Sequence, residues 1–165
     1  MRPEPYEEVV PSGRLMLWVG LGLMAVVVVS VGIPLVVATP TGEDLGTGDV
    51  AALAITFVGT LVLAVGVVMM RVHVRVEDVL EVRVAPFWYR RRIDPTRITS
   101  AESMTLTGGN SAGWGIRLVP GGTAVLLDNG PGVQVTVAGK RSLRFRCSDP
   151  EAVVDALEAR GATVR

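Results

Sequence analysis

Two residue types that carry nucleophilic or metal chemistry occur once each, as His73 and Cys147. A zinc-type centre needs several convergent ligands, which one imidazole and one distant thiol do not supply. A cysteine nucleophile needs a base, and His73 is the only imidazole that could act as one. The plainer readings are a strand residue next to an apolar segment for His73 and a small strand residue for Cys147. The run Thr107-Gly108-Gly109-Asn110-Ser111-Ala112-Gly113 is glycine-rich but lacks the Gly-Lys-Ser/Thr ending of a phosphate loop, and Gly139-Lys140-Arg141-Ser142 lacks the earlier glycine. Both read as hairpin turns. Trp114, between Gly113 and Gly115, reads as a close-packing aromatic before a ligand platform. With no carboxylate pair or triad left to build an active site, the sequence points away from an enzyme, and no catalytic, cofactor-binding or metal residue is expected.

The most suggestive surface is Phe87-Trp88-Tyr89-Arg90-Arg91-Arg92. Aromatics beside arginines suit an anionic headgroup interface, where each base contributes about 1 kcal/mol. In a strand, alternation sends Trp88, Arg90 and Arg92 to one face and Phe87, Tyr89, Arg91 and Ile93 to the other. Trp88, Arg90 and Arg92 are therefore the candidate lipid or partner contacts, weighed against an ordinary strand with a solvated basic edge. Nucleic acid is not an expected partner, because the basic residues are interspersed with acids and follow no motif.

These residues must be positioned by elements of two kinds. No Asp, Glu, Lys, Arg or His occurs in the 24 residues 15–38 or the 21 residues 50–70. At about 1.5 Å per residue, a helix of either length crosses a hydrocarbon core of about 30 Å. The expected organisation is a tail over 1–14, a transmembrane hairpin over 15–70 with helices 15–38 and 50–70 and a loop 39–49, and a domain over 71–165. The loop holds Glu43, Asp44 and Asp49 and no base, whereas residues 71–165 carry fourteen basic and ten acidic residues. Arg14, Arg71 and Arg75 flank the spans, so the positive-inside rule places both termini in the cytoplasm and the loop outside. A cleaved signal peptide ending at Val36-Val37-Ala38 is the rival; its apolar run would be about twice the usual length, with Pro40 just past the cut. A single cysteine excludes an intramolecular disulfide and fits a cytoplasmic domain. Along the second span, Ala52, Thr56, Thr60 and Ala64 recur every fourth residue, a ridge of small side chains on which another helix can pack, from the first span or from a second copy.

Beyond Met70 the apolar pattern alternates. Val72, Val74 and Val76, then Val79 to Val84, read as strands joined at Glu77-Asp78, and Phe87–Ile93, Ile98–Leu106, Trp114–Val119, Thr123–Leu127, Gly132–Val137 and Ser142–Arg146 follow as a meander. Ser148-Asp149-Pro150-Glu151 opens a helix with Ser148 as the N-cap candidate, Val153, Val154 and Leu157 share a face, and Gly161 ends it. The first dozen residues, with Pro3, Pro5 and Pro11 among acids, are expected to be ordered at most locally.

About seven strands closed by one amphipathic helix behind two membrane helices resembles the bacterial pleckstrin-homology-like (PH-like) domain carried by small membrane proteins. The residues that carry the likeness are Arg92-Ile93-Asp94-Pro95-Thr96-Arg97-Ile98, Gly113-Trp114-Gly115-Ile116-Arg117, Gly130-Pro131-Gly132-Val133 and Asp149-Pro150-Glu151. The resemblance implies an α+β chain with an antiparallel β barrel or sandwich, partly open and plugged by the last helix. It implies no reaction. The expectation is an interaction module in a bacterial cytoplasmic membrane, a subunit or regulator of a membrane or cell-envelope complex. Its partners would be the lipid bilayer and a membrane protein or a second copy; the alternative is sensing of anionic headgroups by residues 87–92.

Overall fold

The computed structural model describes residues 4–41, 46–86, 89–139 and 142–163. The chain is α+β and divides into two compact units, Arg14–Met69 and the combination of Met1–Gly13 with Met70–Arg165.

The first unit is a helical hairpin of α1 (Gly13–Thr41) and α2 (Thr47–Val68), both long and apolar enough to cross a membrane. α2 starts three residues before the charge-free run, because Asp49 in its first turn is favoured by the unpaired amides there. Large apolar side chains line the outside of both helices, among them Trp18, Val28, Ile55 and Val62, each more than half exposed. Water penalises such a surface by about 25 cal/mol per Å² of apolar area, and a hydrocarbon solvent does not. Met16, Gly20 and Val27 are the covered positions of α1 and share one helical face.

The second unit holds nine strands among the described residues. Its first sheet is an antiparallel meander of β1 (Tyr6–Pro11), β2 (Arg71–Val76), β3 (Leu80–Ala85) and β4 (Tyr89–Ile93), in that spatial order. Alternation is strict. Val72, Val74, Val76, Leu80, Val82 and Val84 are buried on the inner face, and the intervening residues point outward. A 3-10 turn at Pro95–Arg97, capped by the Asp94 carboxylate accepting from the Thr96 amide at 3.0 Å, leads to the second sheet.

That sheet contains β5 (Ile98–Leu106), β6 (Gly115–Val119), β7 (Gly122–Leu126), β8 (Gly130–Val137) and β9 (Ser142–Arg146), in the order β5-β8-β9-β7-β6. The expected meander ends here, since β7 and β9 pair in parallel. Gly122 permits this close pairing, because a Cβ there would collide with the Ser142 carbonyl oxygen. β5 and β6 lie on opposite edges, so the 107–114 segment is a crossing connection and not the hairpin turn its glycines suggested. Neither sheet closes into a barrel.

α3 (Pro150–Glu158) packs on β5 and β8 of one sheet and on β1 and β2 of the other, with Val153 and Leu157 buried. Asp149, not Ser148, is its N-cap and accepts from the Ala152 amide at 3.0 Å. At the other end Gly161, at φ +91°, adopts the left-handed conformation that lets the Ala162 amide reach back to the Leu157 carbonyl at 3.1 Å.

The segment expected to be a locally ordered tail forms a strand. β1 pairs with β2 over six residues, from Tyr6↔Val76 to Pro11↔Arg71. Pro11 has no amide to donate, which an edge strand tolerates. Val10 supplies the apolar anchor at 2 % exposure. Polar anchors do the rest: the Glu8 carboxylate accepts from the Ser148 amide at 2.8 Å and from the Tyr6 hydroxyl at 2.6 Å, while Arg160 donates to the Glu4 carbonyl at 2.8 Å.

Candidate functional site: the charged outer face of the first sheet

Strand register sorts the outward side chains of β1–β4 into rows. One row reads Pro11, Arg71, Ala85; the next Val9, His73, Arg83, Arg90; the third Glu7, Arg75, Glu81, Arg92. The third row alternates in sign across all four strands, the arrangement that cross-strand pairing favours. The middle row does not. Arg83 stands opposite both His73 and Arg90, and like charges in that relation repel.

Arg90 escapes this by reaching diagonally to Glu81, with Nε 2.6 Å from Oε1 and Nη2 2.8 Å from Oε2. Arg92 donates to the same carboxylate at 2.9 Å. Hydrogen bonds from Arg90, then Arg92, hold the Glu81 carboxyl at about 2, against an opposing contribution from its partial burial. Arg75 turns to Glu77 at 2.8 Å. Arg83 is exposed and has no ion pair among the described residues. The face forms a groove of about 380 Å³, with His73, Arg83, Arg90 and Arg92 in its lining along with Glu7 and Glu81.

Of the residues singled out in the sequence, Arg90 and Arg92 do lie together on this face, and Trp88 lies outside the described residues. Tyr89 points inward, and its buried hydroxyl has no hydrogen-bond partner among the described residues; burial raises its pKa. His73 is on the outer face, whereas Cys147 is buried in the core, its thiol pushed up to about 12 by burial and then by Glu8 and Asp149. Among the described residues no group of three His, Cys, Asp or Glu side chains is placed to hold a metal ion.

The ridge on α2 divides. Ala64 is buried and Thr60 half-buried, while Ala52 and Thr56 are exposed. Thr56 and Thr60 donate to the carbonyls of Ala52 and Thr56 at 2.9 and 2.8 Å, so their hydroxyls are satisfied inside the helix. The close approach of the hairpin is at Gly20, where a Cβ would collide with Val68 and stand 3.5 Å from the Ala64 carbonyl. Gly22 and Gly32, which resemble Gly20 in sequence, have open space beside them. Trp114 lies over Gly108, where a Cβ would stand 2.7 Å from the ring, and is 40 % exposed.

The sequence reading passed over Glu81, Arg83 and Arg71. Their signal was present in the alternation of Arg71, His73 and Arg75 and of Glu81 and Arg83, which puts all five on the face opposite the valines. What alternation does not supply is the register that sets Arg83 against Arg90.

Comparison with family models, with characterised proteins and with solved structures finds no match to this chain. The architecture therefore stands on its own terms: a hairpin of two long apolar helices, and an α+β domain of two open sheets with a terminal helix.

Proposed function

We propose that the chain is a multi-pass protein of a bacterial cytoplasmic membrane, with both termini cytoplasmic, whose domain is a PH-like interaction module in a membrane or cell-envelope protein complex. One observation carries the placement: Pro11 and Arg71, the strand residues on either side of the hairpin, are register partners in one sheet. A chain that leaves a folded domain, crosses a bilayer twice and returns to the same sheet has both ends on one side. Arg14, Arg71 and Arg75 favour the cytoplasmic side.

The PH-like reading is supported by a terminal helix packed across two open sheets. The parallel β7–β9 pair is a departure from it. A protein partner is supported by β6, an edge strand that exposes Ile116 and, at 77 %, Leu118. The exposed end of the α2 ridge, Ala52 and Thr56, offers a second surface, to a partner helix or to a second copy.

Purification of the full chain in mild detergent, after crosslinking in cells and with mass spectrometry, is expected to recover a stoichiometric protein partner. A protein that elutes alone would move the assignment to the second reading, contact with anionic headgroups, which the basic middle row of the outer sheet face favours.

A further inference from the structure

We infer that Arg83 and Arg90, with His73 beside them, form an anion site for a phosphate group on the outer face of the first sheet. This deepens the second reading above and rests on it for the origin of the phosphate in a lipid headgroup. The argument begins with repulsion. Two arginines directly opposite on adjacent strands are disfavoured, and here His73 adjoins Arg83 from the other side. Every nearby carboxylate with an ion pair is committed elsewhere, Glu81 to Arg90 and Arg92 and Glu77 to Arg75. Arg83 is left with none among the described residues, although Arg90, its opposite number, is held in a fixed bidentate clamp.

A guanidinium is a planar fork suited to phosphate oxygens. A clamp that fixes Arg90 through Nε and one Nη still leaves its other amino group free to donate, so an anion beside Arg83 finds donors on two strands. The neighbouring row contributes Arg71, two residues nearer the apolar helices along the chain. On the four strands this face carries five arginines, Arg71, Arg75, Arg83, Arg90 and Arg92, against Glu7 and Glu81, so its field is positive and attracts an anion from solution.

Headgroup phosphate and free phosphate share this chemistry, and the test separates them. The full chain is reconstituted in nanodiscs of phosphatidylcholine, and thermal unfolding of the domain is followed while inorganic phosphate is added against chloride of equal ionic strength. A site that binds only the folded state raises the midpoint with phosphate concentration. The shift should exceed that from chloride and disappear in Arg83→Gln, while Arg97→Gln, outside this face, keeps it. In the absence of phosphate, Arg83→Gln should unfold at a higher midpoint than the unaltered protein, because it removes the repulsion; a purely structural arginine would lower it. A second series replaces part of the lipid with phosphatidylglycerol. A rise in midpoint that depends on Arg83 assigns the phosphate to the headgroup; no rise there, with the phosphate response intact, keeps the site and overturns the lipid origin. Equal responses to phosphate and chloride, or an unchanged phosphate response in Arg83→Gln, overturn the site itself.

Discussion

Pro11 and Arg71 sit opposite each other in the first sheet although the whole helical hairpin lies between them in the chain. The domain is thus built from segments on both sides of the hairpin, and its edge strand is made before either helix. A reporter fused after Arg165 and a cysteine-accessibility probe placed before Tyr6 should give the same compartment. Opposite compartments would mean that β1 and β2 do not pair.

Removing the anchors of β1 should weaken the domain as a whole. Glu8→Ala takes the acceptor from the Ser148 amide and from the Tyr6 hydroxyl. A polar group left without its partner costs about 1–3 kcal/mol. Urea unfolding of the full chain should show a loss of that size, and Glu7→Ala, on the outward face of the same strand, should cost less than half as much. Equal effects would mean that Glu8 does not tie β1 to the C-terminal segment.

Much of this fold is readable from the residues, and the parts that are not share a cause. β5 and β9 fall on the segments that alternation marks, and the second helix of the hairpin differs from its charge-free run by a few residues, because both signals are local. Tyr6–Pro11 is misread, since its stability comes from a partner strand across the hairpin and from a backbone amide at Ser148. The parallel β7–β9 pair is likewise invisible, because alternation gives the faces of a strand but not its neighbours. In the charged face, Arg90 and Arg92 can be found by composition, whereas their clamp on Glu81 depends on register.

The Glu81 clamp gives the domain an acid-sensitive contribution. The folded-state carboxyl is held at about 2, below its ordinary 4.5, so the contribution is complete above about pH 4.5 and is lost as pH falls towards 2. The pair is at the surface, which limits it to about 1 kcal/mol or less. Glu81→Gln should destabilise the domain at pH 7 and make no difference near pH 2, as read from urea midpoints at the two values. The same difference at both would assign the effect to packing and not to charge.

Cys147 should behave as an inert thiol. Its pKa of about 12 leaves almost no thiolate at pH 8, and the side chain is fully covered. A maleimide should label the folded protein negligibly and the urea-unfolded protein to completion, and labelling against urea concentration should follow the unfolding curve. Rapid labelling without denaturant would show that the segment between β9 and α3 opens well below global unfolding.

Gly20 and Gly22 are two residues apart, equally apolar in setting, and differ in what faces them. A Cβ at Gly20 would collide with the Val68 side chain of α2, whereas at Gly22 nothing lies within 4 Å. In a bilayer the hydrophobic effect does not drive helix pairing, so close contact at small residues supplies much of it. Gly20→Val should therefore force the hairpin apart, and Gly22→Val should leave it intact. A cysteine pair at Gly20 and Ala64 is ruled out as a probe, because it would alter the contact itself. Distances between spin labels placed further along α1 and α2, on exposed Val28 and Ile55, report it instead. The expected result is a broadened, longer distance for Gly20→Val and an unchanged one for Gly22→Val. If both variants give the unaltered distance, the hairpin is held by its loop and by the sheet at its ends rather than by packing at Gly20.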